Sequence, residues 1–474
     1  LDTKSLFWRD IQDIDLSHTG SMKKLLSITI TSLSLISCAS LPPSVTERDA
    51  LPAIHTRTTW QAAQQAPSSI VDGLRDVFND PSLDILIERI LTNNLDIQRA
   101  YHQMQEAGFA ERGQRGDLFP SLSTSLGSTR SDTAGQSITE SYSAGLDVTW
   151  EVDVWGKIRS QQDSLSATTQ ARIEGYRAIQ DSLAAQGIQV WFDVVSNHQQ
   201  VSLSRLRLEN LDTRKADTSR RYQAGLADYE DLAAIEREIA ITQANLQTQI
   251  DSLNQSIRQL KVLSGEYPSL ALDRQYALPT LLDAPKADLP ANIITERPDL
   301  RSAWQEVLAT DASVKVAHKE LYPSLTLSGA LTQQSTSLSD LFDGSALWSA
   351  AGNAVMPLFN AGKLKNAMLE QQSRAEQAWL DYLIAVQEAF SEVEQTLDRE
   401  NIYQQRETDL SKALGFAERT EKIAASRYQK GLITILEFLD AQNTRFTVQS
   451  DLITARNDRL KNRVSLALAL GKGV

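Results

Sequence analysis

Two periods of hydrophobicity divide this chain. From Tyr142 to Val154 the apolar positions Tyr142, Ala144, Leu146, Val148, Trp150, Val152 and Val154 alternate strictly with Ser143, Gly145, Asp147, Thr149, Glu151 and Asp153. A period of two puts each set on its own face of a β-strand, so the segment predicts a strand with one apolar and one polar side. A weaker alternation from Leu122 to Arg130 predicts its partner across a turn-rich loop around Ser131 to Ser137. The device recurs with Leu325, Leu327, Gly329 and Leu331, a loop near Ser335 to Gly344, and a return strand to Phe359.

Elsewhere the period is helical. Leu383, Val386, Phe390, Val393 and Leu397 recur at steps of three and four, as do Leu232, Ile235 and Ile239, then Leu246, Ile250, Leu253, Ile257 and Leu260. Such seams belong to coiled coils. They are interrupted at Gly225 and Gly431, where glycine adopts the left-handed conformation that ends a helix and Asp228 or Thr434 caps the next. Helices with no stop signal run from Lys157 to about Arg221 and from Lys363 to about Arg427. About 65 residues at ~1.5 Å each make rods of roughly 100 Å. A further helix starts at Asp80-Pro81-Ser82, carries Leu83, Leu86, Ile87, Ile90 and Leu91, and is expected to continue to about Gly116.

The pattern is duplicated. Arg221-Tyr222-Gln223-Ala224-Gly225-Leu226 returns 206 positions later as Arg427-Tyr428-Gln429-Lys430-Gly431-Leu432, and Gly156-Lys157 returns as Gly362-Lys363 at the same offset. Leu118-Phe119-Pro120-Ser121-Leu122 returns as Leu321-Tyr322-Pro323-Ser324-Leu325 at an offset of 203, which places the three-residue difference inside the strand hairpin. The expected organisation is therefore repeat 1 over 76–265 (strand hairpin about 118–155, tip 222–231), a proline-bearing linker over 266–292, and repeat 2 over 293–474 (strand hairpin about 322–359, tip 428–437). The fold class is mainly α: duplicated antiparallel coiled-coil hairpins plus four β-strands per chain.

Composition narrows the function. A net charge of -13 argues against a nucleic-acid partner, whose phosphates would be repelled. The five histidines lie far apart without HxxxH spacing, and no GxxxxGK[ST] or GxGxxG occurs, so neither a metal nor a nucleotide cofactor is expected. The carboxylates fall at coiled-coil spacing with no His or nucleophile beside them, which speaks against an enzyme. Before Met22, residues 1–21 match nothing that follows and are expected to be upstream sequence. Residues 22–37, with Lys23, Lys24 and an apolar run from Leu25 to Ile36, have the layout of a signal peptide, too short to span a bilayer as a helix. Leu35-Ile36-Ser37-Cys38 resembles a bacterial lipobox, which implies cleavage before Cys38 and a covalent lipid there, and Ala39 after it suits the outer membrane. Residues 38–75, rich in Pro, Thr, Ser and Ala, are expected to be an extended lipidated tether.

No apolar run after the signal segment reaches ~18 residues, so no spanning helix is expected. Amphipathic strands after an export signal look instead like part of an outer-membrane barrel. Four strands cannot close one, since the smallest barrels have ~8, and an open edge in lipid is prohibitive. The chain is expected to oligomerise, and three copies would give a twelve-stranded barrel above a helical conduit.

Several motifs, in order, carry a resemblance: Trp150-Glu151-Val152-Asp153-Val154-Trp155-Gly156, Glu296-Arg297-Pro298-Asp299-Leu300-Arg301, Pro357-Leu358-Phe359-Asn360-Ala361-Gly362 and the two tips. Over about residues 22–474 the chain resembles the TolC/OprM-like outer-membrane factors of tripartite efflux pumps, in their lipoprotein (NodT-type) branch. The resemblance implies a homotrimeric duct in outer-membrane lipid. It implies tips at Gly225, Leu226, Gly431 and Leu432 that meet a periplasmic adaptor (membrane fusion) protein, and beyond that an inner-membrane RND-type transporter. It places an acidic periplasmic gate at Glu437 and Asp440, and a latch at Asp231 and Tyr428 in which a Tyr hydroxyl bonded to a carboxylate holds the tip closed. One position departs: Ile433 stands where some members carry a basic gate residue. A type I secretion duct for polypeptides, and a periplasmic coiled-coil scaffold lipoprotein without a pore, are the alternative readings.

Overall fold

The computed structural model describes Ser44, Trp60 and residues 73–78, 80–132, 137–271, 279 and 290–474. Ser44 belongs to a first compact unit, Leu1–Ser44, and the rest to a second, Val45–Val474. The expected upstream segment, signal peptide and lipidated Cys38 lie outside the described residues, as do most of the tether and of the 266–292 linker.

After a 3-10 turn (Leu74–Val77), the chain runs α1 (Pro81–Asn93), α2 (Leu95–Gly116), β1 (Ser121–Ser131), β2 (Thr139–Glu151), α3 (Lys157–Gln223), α4 (Tyr229–Leu263), α5 (Pro290–Glu296), α6 (Pro298–Lys319), β3 (Ser324–Ser335), β4 (Leu347–Val355), α7 (Lys363–Gln429) and α8 (Ile435–Ala469). The duplication is metric as well as verbal. α2 and α6 have 22 residues each, α3 and α7 67 each, α4 and α8 35 each. No proline falls inside either rod, so each spans about 100 Å without a break.

One expectation is corrected at the start. A single helix to Gly116 was expected; the structure breaks it at Asn94, which takes extended backbone (φ -66°, ψ 129°). Its side-chain oxygen accepts from the Asp96 and Ile97 N–H groups at 2.8 and 3.2 Å, capping α2, while its Nδ2 donates to the Leu263 carbonyl at 2.9 Å. Asn competes with the helical backbone through its own side chain, and here it satisfies two helix ends at once. α1 then turns its apolar face onto α3. At Gly187 a Cβ would sit 2.1 Å from Ile90 Cδ1, so any larger residue there would displace the Ile90 side chain.

The four strands form one antiparallel sheet in the order β1-β2-β3-β4, and the β2–β3 pairing joins the two halves. One face carries the layer Thr124, Leu146, Leu331 and Trp348, and the next layer on the other face is Ser123, Asp147, Ala330 and Ser349. The period-two pattern thus resolves into an apolar and a polar side. Among the described residues of this chain, β1 and β4 each keep an unpaired edge.

Where strands meet rods, the quoted motifs lock into one another. Asp153 accepts from the Ile158 and Arg159 N–H groups at 3.0 Å each, an anion at the α3 N-terminus. The Trp155 indole stacks on Tyr322 at 5.3 Å and donates to the Pro323 carbonyl at 2.7 Å. At the end of α6 away from the sheet, Arg297 grips Asp299 in bidentate fashion (3.1 and 2.7 Å), reaches Glu392 at 2.7 Å and donates to the Ala469 carbonyl at 3.3 Å, tying α6 to α7 and α8. Along their lengths α3 packs between α2 and α6, and α6 against α7.

Candidate functional site

The two hairpin tips are built alike. The Leu226 N–H donates to the Arg221 carbonyl at 2.8 Å and the Gly225 N–H to the Tyr222 carbonyl at 2.9 Å; Leu432 and Gly431 repeat this on Arg427 and Tyr428, at 2.9 Å each. Both glycines have φ 69°, the left-handed cap that closes a helix. A Cβ at either would meet nothing within 4 Å, so here the backbone angle requires glycine, and the space around it is open. Leu226 and Leu432 project into solvent at 70% and 68% exposure, one apolar knob per tip.

The second helix of each hairpin begins with a reciprocal cap. The Asp228 N–H donates to Asp231 Oδ2 at 3.3 Å. At the other tip the Thr434 N–H and hydroxyl donate to Glu437 Oε2 at 2.8 and 3.1 Å, and the Glu437 N–H returns a bond to Thr434 Oγ1 at 3.3 Å. Two of the expected gate carboxylates therefore also hold the helix starts in place. Glu437 and Asp440 are both exposed and line one groove of about 660 Å³ with Phe416, Arg427 and Ile433.

Tyr428 is packed inside its own chain. Its ring is 6% exposed, stacks on Phe438 at 5.7 Å with planes 13° apart, and lies under the Arg221 guanidinium at 5.1 Å. Its hydroxyl pairs with Thr218 Oγ1 at 3.3 Å, across from α7 to α3. Within the chain Tyr428 and Asp231 do not meet, because the carboxylate is turned to its own cap. The repeat is unequal here: Tyr222, the counterpart of Tyr428, is 44% exposed and faces Tyr229. Ile433 packs against the apolar tip cluster of Leu211, Ile235, Ile435 and Phe438, which suits the absence of a basic residue at that position.

Charge elsewhere on the hairpins is paired between coil partners. Glu400 on α7 is 4% exposed and meets Arg459 at 3.0 Å and Arg463 at 2.8 Å, both on α8. Burial by itself raises its pKa, and the two guanidinium groups more than offset that, leaving the carboxyl below its ordinary 4.5. Nearer the tip, Arg445 holds Glu421 at 2.9 Å. Arg207 on α3 bonds Glu238 on α4 and, at 2.6 Å, Asn443 Oδ1 on α8. The sequence offered no signal for this last trio, whose members lie 31 and 236 positions apart. No group of three or more His, Cys, Asp or Glu among the described residues is arranged to hold a metal ion, and no described helix is long and apolar enough to cross a membrane.

Comparison with known proteins adds the context. The chain matches the outer membrane efflux protein family over residues 86–266 and 289–472, one stretch per half. It is 28% identical to SilC, an outer membrane lipoprotein of Salmonella typhimurium, over 95% of this chain and 98% of that protein. It is also 28% identical to OpmQ, the pyoverdine export outer membrane protein of Pseudomonas aeruginosa, over 96% and 97% respectively. Among solved structures, its fold is similar to the outer-membrane channel MtrE of Neisseria gonorrhoeae in its open state (TM-score 0.81, 24% identity, covering 89% of this chain and 96% of that one) and to CusC (TM-score 0.77, 24% identity, 88% and 97%). With the duplicated rods, the amphipathic sheet and matches across both halves, the chain belongs to the outer membrane efflux protein family.

Proposed function

We propose that three copies of this chain close a twelve-stranded barrel in the outer membrane above a helical duct. Its tips receive a periplasmic adaptor, and through it the duct drains an inner-membrane RND-type transporter of small toxic molecules. The observation that carries this reading is the sheet: four strands, apolar on one face, with unpaired edges at β1 and β4. Such edges are tolerated in lipid only when another copy pairs with them. The flanking helices match. Exposed Phe109 lies seven residues from the sheet end of α2, and exposed Leu369 six from the sheet end of α7, so the two stand at similar height on opposite flanks.

Cys38 carries the lipid in this reading, Gly225, Leu226, Gly431 and Leu432 meet the adaptor, and Glu437 and Asp440 ring the narrow end. Two threefold rings of carboxylates favour cations and repel one another across the axis. Introducing Phe109→Cys and Leu369→Cys together in a Cys38→Ser background, where no other cysteine remains, tests the closure. The expected result is oxidative cross-linking into trimers in the outer-membrane fraction. Monomers alone, with the protein correctly inserted, contradict the ring.

A further inference from the structure

We propose that Arg207 is a positioning residue for the resting duct: it fastens α8 to the α3/α4 coil and sets the point from which the α7/α8 coil swings when the tip opens. This rests on the proposed gate and deepens it. Arg207 lies 18 residues above Gly225, roughly 27 Å up the rod. One nitrogen, Nη2, donates both to Glu238 inside its own coil and to Asn443 Oδ1, at 2.6 Å, in the other. Glu238 is only 7% exposed, and this guanidinium is the ion-pair partner of its carboxylate. The ring of Phe446 on α8 is flanked by Arg207 at 5.6 Å and Arg445 at 3.7 Å, which adds a cation contact to the same joint.

What lies on either side makes this tie decisive. Tip-ward, one side-chain hydrogen bond between the two coils remains among the described residues, the Thr218–Tyr428 hydroxyl pair at a long 3.3 Å. The rest is the apolar tip cluster, with the Arg214 guanidinium over Phe438 at 5.0 Å and that of Arg221 over Tyr428 at 5.1 Å, face contacts less directional than a hydrogen bond. Root-ward lies a cavity of about 310 Å³ lined by Gln200, Thr242, Gln249 and Ser450 as well as Arg207. Arg207 Nε, Thr242 Oγ1 and Gln249 Oε1 are buried there without a protein partner, and Thr242 is 1% exposed. Polar walls of this kind exchange partners with solvent when helices shift, whereas a packed apolar wall opposes the shift. In the cavity wall the Gln200 Nε2 donates to the Ser450 carbonyl and the Ser450 hydroxyl donates to Gln200 Oε1, at 2.9 Å each, and farther up Lys461 holds Asp193 at 2.8 Å, so the upper coils stay joined. Arg207 is thus the last charged hydrogen bond between the two coils before the tip.

Asn443→Ala removes only the inter-coil bond and leaves the Arg207–Glu238 pair whole. A charge-assisted hydrogen bond biases a two-state balance by about tenfold or more. Single-channel recording of purified trimers is therefore expected to show Asn443→Ala raising the open fraction about tenfold, with trimer yield and melting temperature unchanged. Arg207→Lys, a point charge that cannot span both partners, is expected to fall between the wild type and Asn443→Ala. A role confined to folding would move yield and melting while leaving gating alone, and that result overturns the proposal. If Glu437→Ala and Asp440→Ala change the current while Asn443→Ala and Arg207→Lys gate as wild type, the Arg207 tie falls and the tip gate stands. If the carboxylate variants also leave the current unchanged, both fall.

Discussion

Replacing Leu331 by arginine separates the two faces of the sheet in a single residue. Leu331 lies in the layer Thr124, Leu146, Leu331 and Trp348, on the side whose large residues are apolar and exposed in the single chain. If that side meets lipid, an arginine near mid-depth costs ~2–4 kcal/mol per chain. Three copies in one barrel make ~6–12 kcal/mol, which is comparable with the ~5–15 kcal/mol that holds a typical fold together. Its neighbour Ala330 is the control. It belongs to the polar layer and pairs directly with Asp147 across the β2–β3 ladder. Ala330→Arg therefore places opposite charges face to face, a gain of ~0.2–1 kcal/mol. The assay is the amount of heat-stable trimer recovered from the outer membrane. Leu331→Arg is expected to abolish or sharply reduce it and Ala330→Arg to leave it near wild type. The reverse order would mean that the register is shifted by one residue and every side chain is assigned to the wrong face.

Three further outcomes are expected. Glu400 keeps its carboxyl below 4.5, so its contribution to the α7/α8 coil is fully present above about pH 4.5 and is lost as pH falls through the lowered folded value; melting curves of Glu400→Gln should be lower at neutral pH and lose less on acidification, and parallel acid limbs would refute this. Asp231→Ala and Tyr428→Phe each loosen a tip, one by removing a helix cap and the other a hydroxyl pair worth about 0.5–1.5 kcal/mol. Because the two groups do not touch within one chain, their effects on vancomycin entry should add, and a coupling well above ~0.5 kcal/mol would refute this independence and point to a direct latch. Phe438→Ala removes the ring stacked on Tyr428 and is expected to cost ~3–5 kcal/mol in the tip cluster, seen as faster proteolysis at the tips with the sheet end protected; uniform cleavage would argue against a separate tip cluster.

Much of this architecture is legible in the chain because its elements are long and periodic. Rods of 67 residues leave many repeats of a helical seam, and alternation over Tyr142 to Glu151 fixes both faces of β2, although the pattern runs on to Val154, three residues beyond the strand. The duplication read from two hexapeptides returns as helices of equal length. What escaped was local competition and distant pairing. Asn94 looked like any residue in a helical run, yet a buried carbonyl at Leu263 made its cap worth more than another turn. Tyr428 could be placed at a tip from its motif, whereas Thr218 and Phe438, which hold it, are ordinary residues on other helices. Arg207, Glu238 and Asn443 meet only after three helices pack, and periodicity carries no information about such a meeting.

The most direct test of the duct and its gate is the reversal potential of single channels in a salt gradient across a planar bilayer, for wild type, Glu437→Ala, Asp440→Ala and the double variant. A small, cation-selective wild-type current is expected, growing and losing its selectivity as the carboxylates are removed. A current that keeps its size and selectivity in the double variant would contradict a gate at these carboxylates, and repeated insertion without any current would contradict the duct itself.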